Sequence, residues 1–159
     1  MSLHRKAARA RCSRKRNTCC YWGTDLTNAL AKATYIYIAT VRKDGAPRLH
    51  PICPTVVNGR LYALIGPSHK RADLLRDGRY ALHTFPPQDV DDEFLVMGRA
   101  TFIDDPAIAE AVRKDLIARG MTSSNDECPF EFGIERAMHA KYPGGHGTWP
   151  PKYSIWKAP

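Results

Sequence analysis

The spacing of hydrophobic and polar positions changes several times along the chain, and each change marks an element. YIYIATVR, Tyr35 to Arg42, is β-branched and aromatic on both faces and predicts a strand covered on two sides. Lys43-Asp44-Gly45 reads as a hairpin turn, after which a second strand is expected from Pro47 towards Val57. Asn58-Gly59, the strongest turn signal in the chain, leads into RLYALI (Arg60 to Ile65) and completes a three-stranded meander. A Gly-Pro break follows, then a short helix opening at Ser68 and closing before Gly78, then the strand RYALHTF (Arg79 to Phe85). PPQDVDD is an acidic, proline-rich loop. EFLVMGRATFI (Glu93 to Ile103) is a long strand in which Gly98 marks a bulge or bend, as a curved barrel wall requires.

Asp105-Pro106 places a cap and a first-turn proline in their preferred order for a second helix. Ile108, Ala111, Val112 and Leu116 give it one apolar stripe, and Gly120 ends it. FEFGIERAMHAKY (Phe130 to Tyr142) is compatible with strand or helix; Gly133 and the alternation at Phe132 favour strand. PGGHGTWPP is a loop and KYSIW a last strand. Upstream, TDLTNALAKA predicts a short helix capped by Thr24 or Asp25. Six or seven mostly antiparallel strands with short flanking helices imply a mainly β (α+β) domain, a closed or partly closed barrel, over residues 24–159.

Charge changes this picture only at one end. The net charge of +8 would suit a nucleic-acid binder, but 7 of the 24 Lys and Arg lie between Arg5 and Arg16, and no acid precedes Asp25. The remainder, with 17 basic and 16 acidic residues, is close to neutral. Residues 1–23 are expected to form a basic tail, disordered in isolation because it has little to bury. Nucleic-acid binding by the domain is therefore not expected. The N-terminus lacks the apolar segment of a secretory signal, and no apolar run suits a membrane span. Five irregularly spaced cysteines, without C-x-x-C or paired histidines, argue against a zinc site and for a reduced cytoplasmic protein.

The short helix poses a question. A helix N-terminus favours acidic residues, yet the first turn after Ser68 is His69-Lys70-Arg71. Either solvent and Asp73 offset the charge, or an anion sits on the helix end and meets the hydroxyl, the free N–H groups and the cations together.

The succession of KDGAPRLHP, NGRLYALI, GPSHKRADLLRDGRYALHTF and MGRATFIDDP resembles the pyridoxamine 5′-phosphate oxidase-like family, the FMN-binding split β-barrels. The likeness runs from about Tyr35 to Ile117 and resumes in WPPKYSIWKAP. It implies a six- to seven-stranded antiparallel split barrel, working as a homodimer with the cofactor at the subunit interface. It places Arg48, Leu49, His50 and Pro51 along the flavin, and Ile65, Gly66, Ser68, His69, Lys70 and Arg71 around its phosphate. The family's oxidase has a lysine beyond the strand arginine where this chain has Cys53 and Pro54, and its C-terminal substrate segment is reduced here to SIWKAP. The implied activity is thus a general flavin-dependent reductase or oxidase acting on a small organic substrate, not vitamin B6 synthesis. Alternatives are a deazaflavin-dependent reductase and a flavin- or haem-binding protein without turnover.

A flavin needs a phosphate clamp and a flat apolar slot, for which Leu49, Ile65, Trp149 and Trp156 are candidates, the tryptophans being equally suited to core packing. His50 is the candidate catalytic residue, able to protonate substrate or orient the ring; its plainer role is a strand histidine bonded to backbone. His83 and Cys53 read as packing residues, and the acids at 89–93 as solvated charge.

Overall fold

The computed structural model describes residues 35–84, 93–144 and 148–159. The expected basic tail, the helix at 24–33, Phe85, the loop 86–92 and the centre of the glycine-rich loop (145–147) fall outside the described residues. Among the described residues the strands are β1 (Ile36–Val41), β2 (Pro47–Ile52), β3 (Thr55–Val57), β4 (Arg60–Ile65), β5 (Arg79–Thr84), β6 (Glu93–Phe102), β7 (Cys128–Lys141) and β8 (Lys152–Lys157). Helix α1 (His69–Arg76) links β4 to β5, and α2 (Pro106–Ala118) links β6 to β7.

Period-two alternation decides which side chains enter the barrel. Ile36, Ile38 and Thr40 of β1 face inward, opposite Ile52, His50 and Arg48 on β2 and opposite Thr84, Leu82 and Tyr80 on β5. All pairings are antiparallel, along the path β2-β1-β5-β6-β7-β4-β3. The long β7 pairs with β6 on one side; on the other, its start pairs with β4 and its end with β8.

The strand expected from Pro47 to Val57 is divided at Cys53-Pro54. Proline donates no backbone hydrogen bond and constrains the residue before it, so the ladder stops there. The division has an architectural effect. β2 and β3 occupy opposite ends of the sheet path, yet only two residues join them. Three Cα steps span no more than roughly 11 Å, so the sheet must curl enough to bring the end of β2 within that distance of the start of β3.

One apolar cluster fills the interior, with Ile38, Ile65, Leu82, Val96 and Phe130 almost wholly buried. Leu74 of α1 enters it, Trp156 of β8 packs against it, and Tyr80 meets Phe132 edge-on at a ring separation of 4.9 Å. A second cluster, Tyr62 with Val112 and Leu116, seats α2 on the outer face of β4. α2 begins as expected, with the Asp105 carboxylate accepting from the N–H of Ala107 at 2.8 Å.

Gly98 sits at a register shift between β6 and β7, the bulge its position predicted. A Cβ there would lie 1.9 Å from the Gly133 carbonyl oxygen, which also accepts from the Tyr80 hydroxyl at 3.1 Å. Among the described residues, no helix is long and apolar enough to cross a membrane.

Candidate functional site

α1 opens where the chain leaves β4. Ser68 is extended (φ −164°), and its Oγ accepts from the N–H of Arg71 at 3.3 Å while donating to the Gly66 carbonyl at 3.0 Å. This is the cap the sequence predicted. It leaves the N–H groups of His69 and Lys70 in the first turn, where helix geometry provides no acceptor. No acid occupies that turn.

An open cleft of about 470 Å³ lies between this helix end and the β1–β2 hairpin. Arg42, Lys43 and Asp44 of the hairpin form one wall, Ser68, His69 and Ala72 the other, and Arg48 and Asp73 the floor. Asp73 is only 4% exposed and holds three donors from three elements. Its Oδ2 accepts from Arg48 Nε at 2.8 Å and Thr40 Oγ1 at 3.0 Å; its Oδ1 accepts from Arg76 Nη1 at 3.1 Å. Burial alone would raise this carboxyl, but the hydrogen bonds from Arg48, Arg76 and Thr40 outweigh burial and hold it below the ordinary range. Arg76 also donates to the carbonyl of Val41. Arg48, gripped through Nε, keeps both Nη groups without a partner among the described residues.

The first-turn cations divide. His69 faces the cleft. Lys70 Nζ donates to the carbonyl of Pro51 at 3.1 Å, and Arg71 Nη1 to that of Asp126 at 3.1 Å. Lys70 thus ties the helix to β2, and burial lowers its ammonium pKa. His50 lies on the inner face of β2 between Arg48 and Ile52, and its buried Nε2 has no partner among the described residues. Burial first, then the charges of Lys70, Arg48 and His69, lowers its imidazole below the ordinary 6.5. The ring is therefore neutral near pH 7.

Other candidates do not converge within one chain. Ile65 is in the core at 1% exposure, and Gly66 is half-buried at the start of the turn. Trp156 faces the interior from β8. Leu49 and Pro51 point outward from β2, and Trp149 is 79% exposed. Leu49, Ile65 and the two tryptophans thus form no slot in a single chain. The outward residues instead form a row across the sheet: Pro51, Tyr37, His83, Leu95, Met138 and Ile155 are successive cross-strand neighbours. Beside that row, Leu49 is 65% exposed.

The donor set at the cleft suits a phosphomonoester. A guanidinium with free Nη groups, a helix start and hairpin cations can make charge-assisted bonds to a dianion. Arg42 and Lys43 were not singled out from the sequence, and Asp73 only as an offset to the first-turn cations. The KDG turn signalled their position but not that it folds over the helix end. Among the described residues, no cluster of three His, Cys, Asp or Glu is arranged to hold a metal ion.

The family model described as pyridoxamine 5′-phosphate oxidase matches residues 25–135. No curated protein matches the chain. Solved structures share the fold at low identity. A Clostridium acetobutylicum protein related to general stress protein 26, of the pyridoxinephosphate oxidase family, is 12% identical (TM-score 0.64; 86% of this chain and 94% of that one covered). A putative pyridoxamine 5′-phosphate oxidase from Listeria innocua is 14% identical (TM-score 0.60; 72% and 94%). A heme binding protein from Mycobacterium smegmatis is 16% identical (TM-score 0.61; 82% and 56%). At these identities the likeness establishes architecture alone.

Proposed function

The chain belongs to the pyridoxamine 5′-phosphate oxidase family, and from that premise we propose that it is an FMN-dependent oxidoreductase acting on a small organic substrate in the cytoplasm. The observation that carries the reading is the floor of the cleft. Arg48 is fixed through Nε by a buried carboxylate, its two Nη groups have no partner among the described residues, and it lines the space that Ser68, His69, Arg42 and Lys43 surround. A phosphate dianion there would satisfy the opposed charges of the helix start. When bound, the flavin supplies hydride acceptance and donation, and the protein's part is to orient it and its substrate. His50 follows Arg48 on the same inner face of β2, and its neutral ring, with a buried Nε2, is in this reading a neighbour of the clamp and not a group in the cleft lining.

The working unit in this reading is a homodimer with the cofactor at the interface. The outward row from Pro51 to Ile155, exposed at Pro51, Tyr37 and Ile155 and half-buried at His83, Leu95 and Met138, with Leu49 beside it, is a surface a second copy would cover, adding apolar walls that one chain does not assemble. A deazaflavin coenzyme would use the same cationic cleft. One observation favours a second reading without turnover. The fold is shared with a heme binding protein.

Absorbance of the purified protein separates these: bands near ~370 and 450 nm report FMN, one near ~420 nm deazaflavin, and a Soret band haem. The clamp is tested by titrating FMN and riboflavin into wild type and Arg48→Ala. Losing charge-assisted bonds of ~1.5–3 kcal/mol should weaken FMN about 10- to 100-fold and leave riboflavin unchanged. Equal loss for both ligands would refute a phosphate at this cleft.

A further inference from the structure

We propose that Asp73 is the positioning residue of the anion cleft: it holds the Arg48 guanidinium in the one orientation that turns both Nη groups towards the ligand. The inference rests on the phosphate reading of the cleft and names the device behind it. Geometry carries it. The single oxygen Oδ2 takes Arg48 Nε and Thr40 Oγ1, and Oδ1 takes Arg76 Nη1, so both oxygens of a buried carboxylate are fixed by groups from β1, β2 and α1. Arg76 is in turn pinned to the Val41 carbonyl at the foot of the hairpin. The carboxylate therefore cannot rotate without releasing a donor. Arg48, a long side chain on the edge strand β2, has no other partner among the described residues to fix its direction.

Charge and position make opposite predictions here. Asp73 lines a cleft meant for an anion, so as a bare charge it opposes binding, and Asp73→Asn should strengthen phosphate binding. As a positioning group it should do the reverse. An asparagine carries no charge and one acceptor oxygen: turned one way its NH2 group faces Arg48, and turned the other it holds Arg48 only through a weaker, neutral acceptor while its NH2 group faces Arg76.

The experiment compares the FMN-to-riboflavin affinity ratio in wild type, Asp73→Asn and Arg76→Gln. General loosening of the fold lowers both affinities and leaves the ratio alone; loss of the Arg48 orientation lowers FMN only. The ratio should fall about tenfold in Asp73→Asn, as expected for loss of a charged hydrogen bond, and stay within about twofold in Arg76→Gln. A ratio that rises or holds in Asp73→Asn, or falls equally in both variants, overturns the proposal. Should Asp73→Asn not fold, Thr40→Val keeps the charge and frees the carboxylate on its inner side; the ratio should then drop about threefold, and an unchanged ratio overturns the proposal. A wild-type protein that binds FMN and riboflavin equally would instead dismiss the phosphate reading. Asp73 is then decided by the Arg48 Nε–H resonance. Slow exchange in wild type that is lost on freeing the carboxylate upholds its role, and rapid exchange in wild type refutes it.

Discussion

Replacing Gly98 by alanine should destabilise the fold by about 3–5 kcal/mol. The requirement is for space, since the backbone at Gly98 is not among the positive-φ glycines. The added Cβ would sit 1.9 Å from the Gly133 carbonyl oxygen and 2.9 Å from the amide nitrogen of Glu135. Both obstacles are backbone, so neither can swing aside as a side chain would. β6 and β7 must part by about 1 Å or more to restore ordinary contact. Overpacking of this kind costs ~1–3 kcal/mol. The separation also breaks the bond from the Tyr80 hydroxyl to Gly133, worth about 1 kcal/mol, and stretches the ladder on either side of the bulge. For a chain of this length, each kcal/mol lowers Tm by about 2–4 °C, so a fall of roughly 6–20 °C is expected. Urea and thermal unfolding followed by circular dichroism measure it, with two internal references. Gly66→Ala, whose Cβ would stand 3.7 Å from a Glu127 methylene, should be near neutral. Gly133→Ala, at 3.3 Å from the Arg99 carbonyl, should fall between. A Gly98→Ala protein as stable as Gly66→Ala would refute the account of the bulge.

Acid unfolding should show two steps. The native imidazole of His50 resists the proton that the unfolded chain takes near 6.5, so stability declines as pH falls from there to the lower native value. The native Asp73 carboxyl likewise stays ionised below 3.8, where the unfolded one protonates; its contribution is complete above 3.8 and is lost as pH falls through the lower native value. Urea midpoints across the acid range should lose the upper step in His50→Gln and show a smaller lower step in Asp73→Asn, the remainder belonging to Asp77, whose carboxyl the Arg79 guanidinium holds down to about 2; a profile unchanged by either substitution would contradict the assignment. Leu49→Asp, placed beside the outer row, should convert the proposed dimer to a monomer in sedimentation analysis without lowering the monomer's helix and strand content. A dimer that persists would remove that face from the interface.

The elements with strong local signals were legible. Ser68 and Asp105 cap the helices they were expected to cap, Gly98 marks a bulge, and the segment after Phe130 is strand. What the sequence concealed depends on partners far along the chain. Pro51, Pro54 and the apolar residues around them read as one strand because period-two alternation survives the break; the missing proline N–H was the signal that outweighed it. The first-turn cations looked like three ligands in search of an anion. Two of them answer to backbone carbonyls supplied by Pro51 and Asp126, which no local pattern announces. Asp73 read as a solvated offset to neighbouring charge, whereas it is buried under donors 33 and 25 residues away.

The Cys53-Pro54 link carries the whole circumference. Among the described residues neither β2 nor β3 has a strand partner on its far side, so the pair behaves like the two ends of a belt held by one buckle. Extra residues at that point would let the belt loosen and its two unpaired edges, the kind of surface on which strands of separate molecules join, move apart. The brevity of that connection holds the two edges beside each other, where a longer one would let them part.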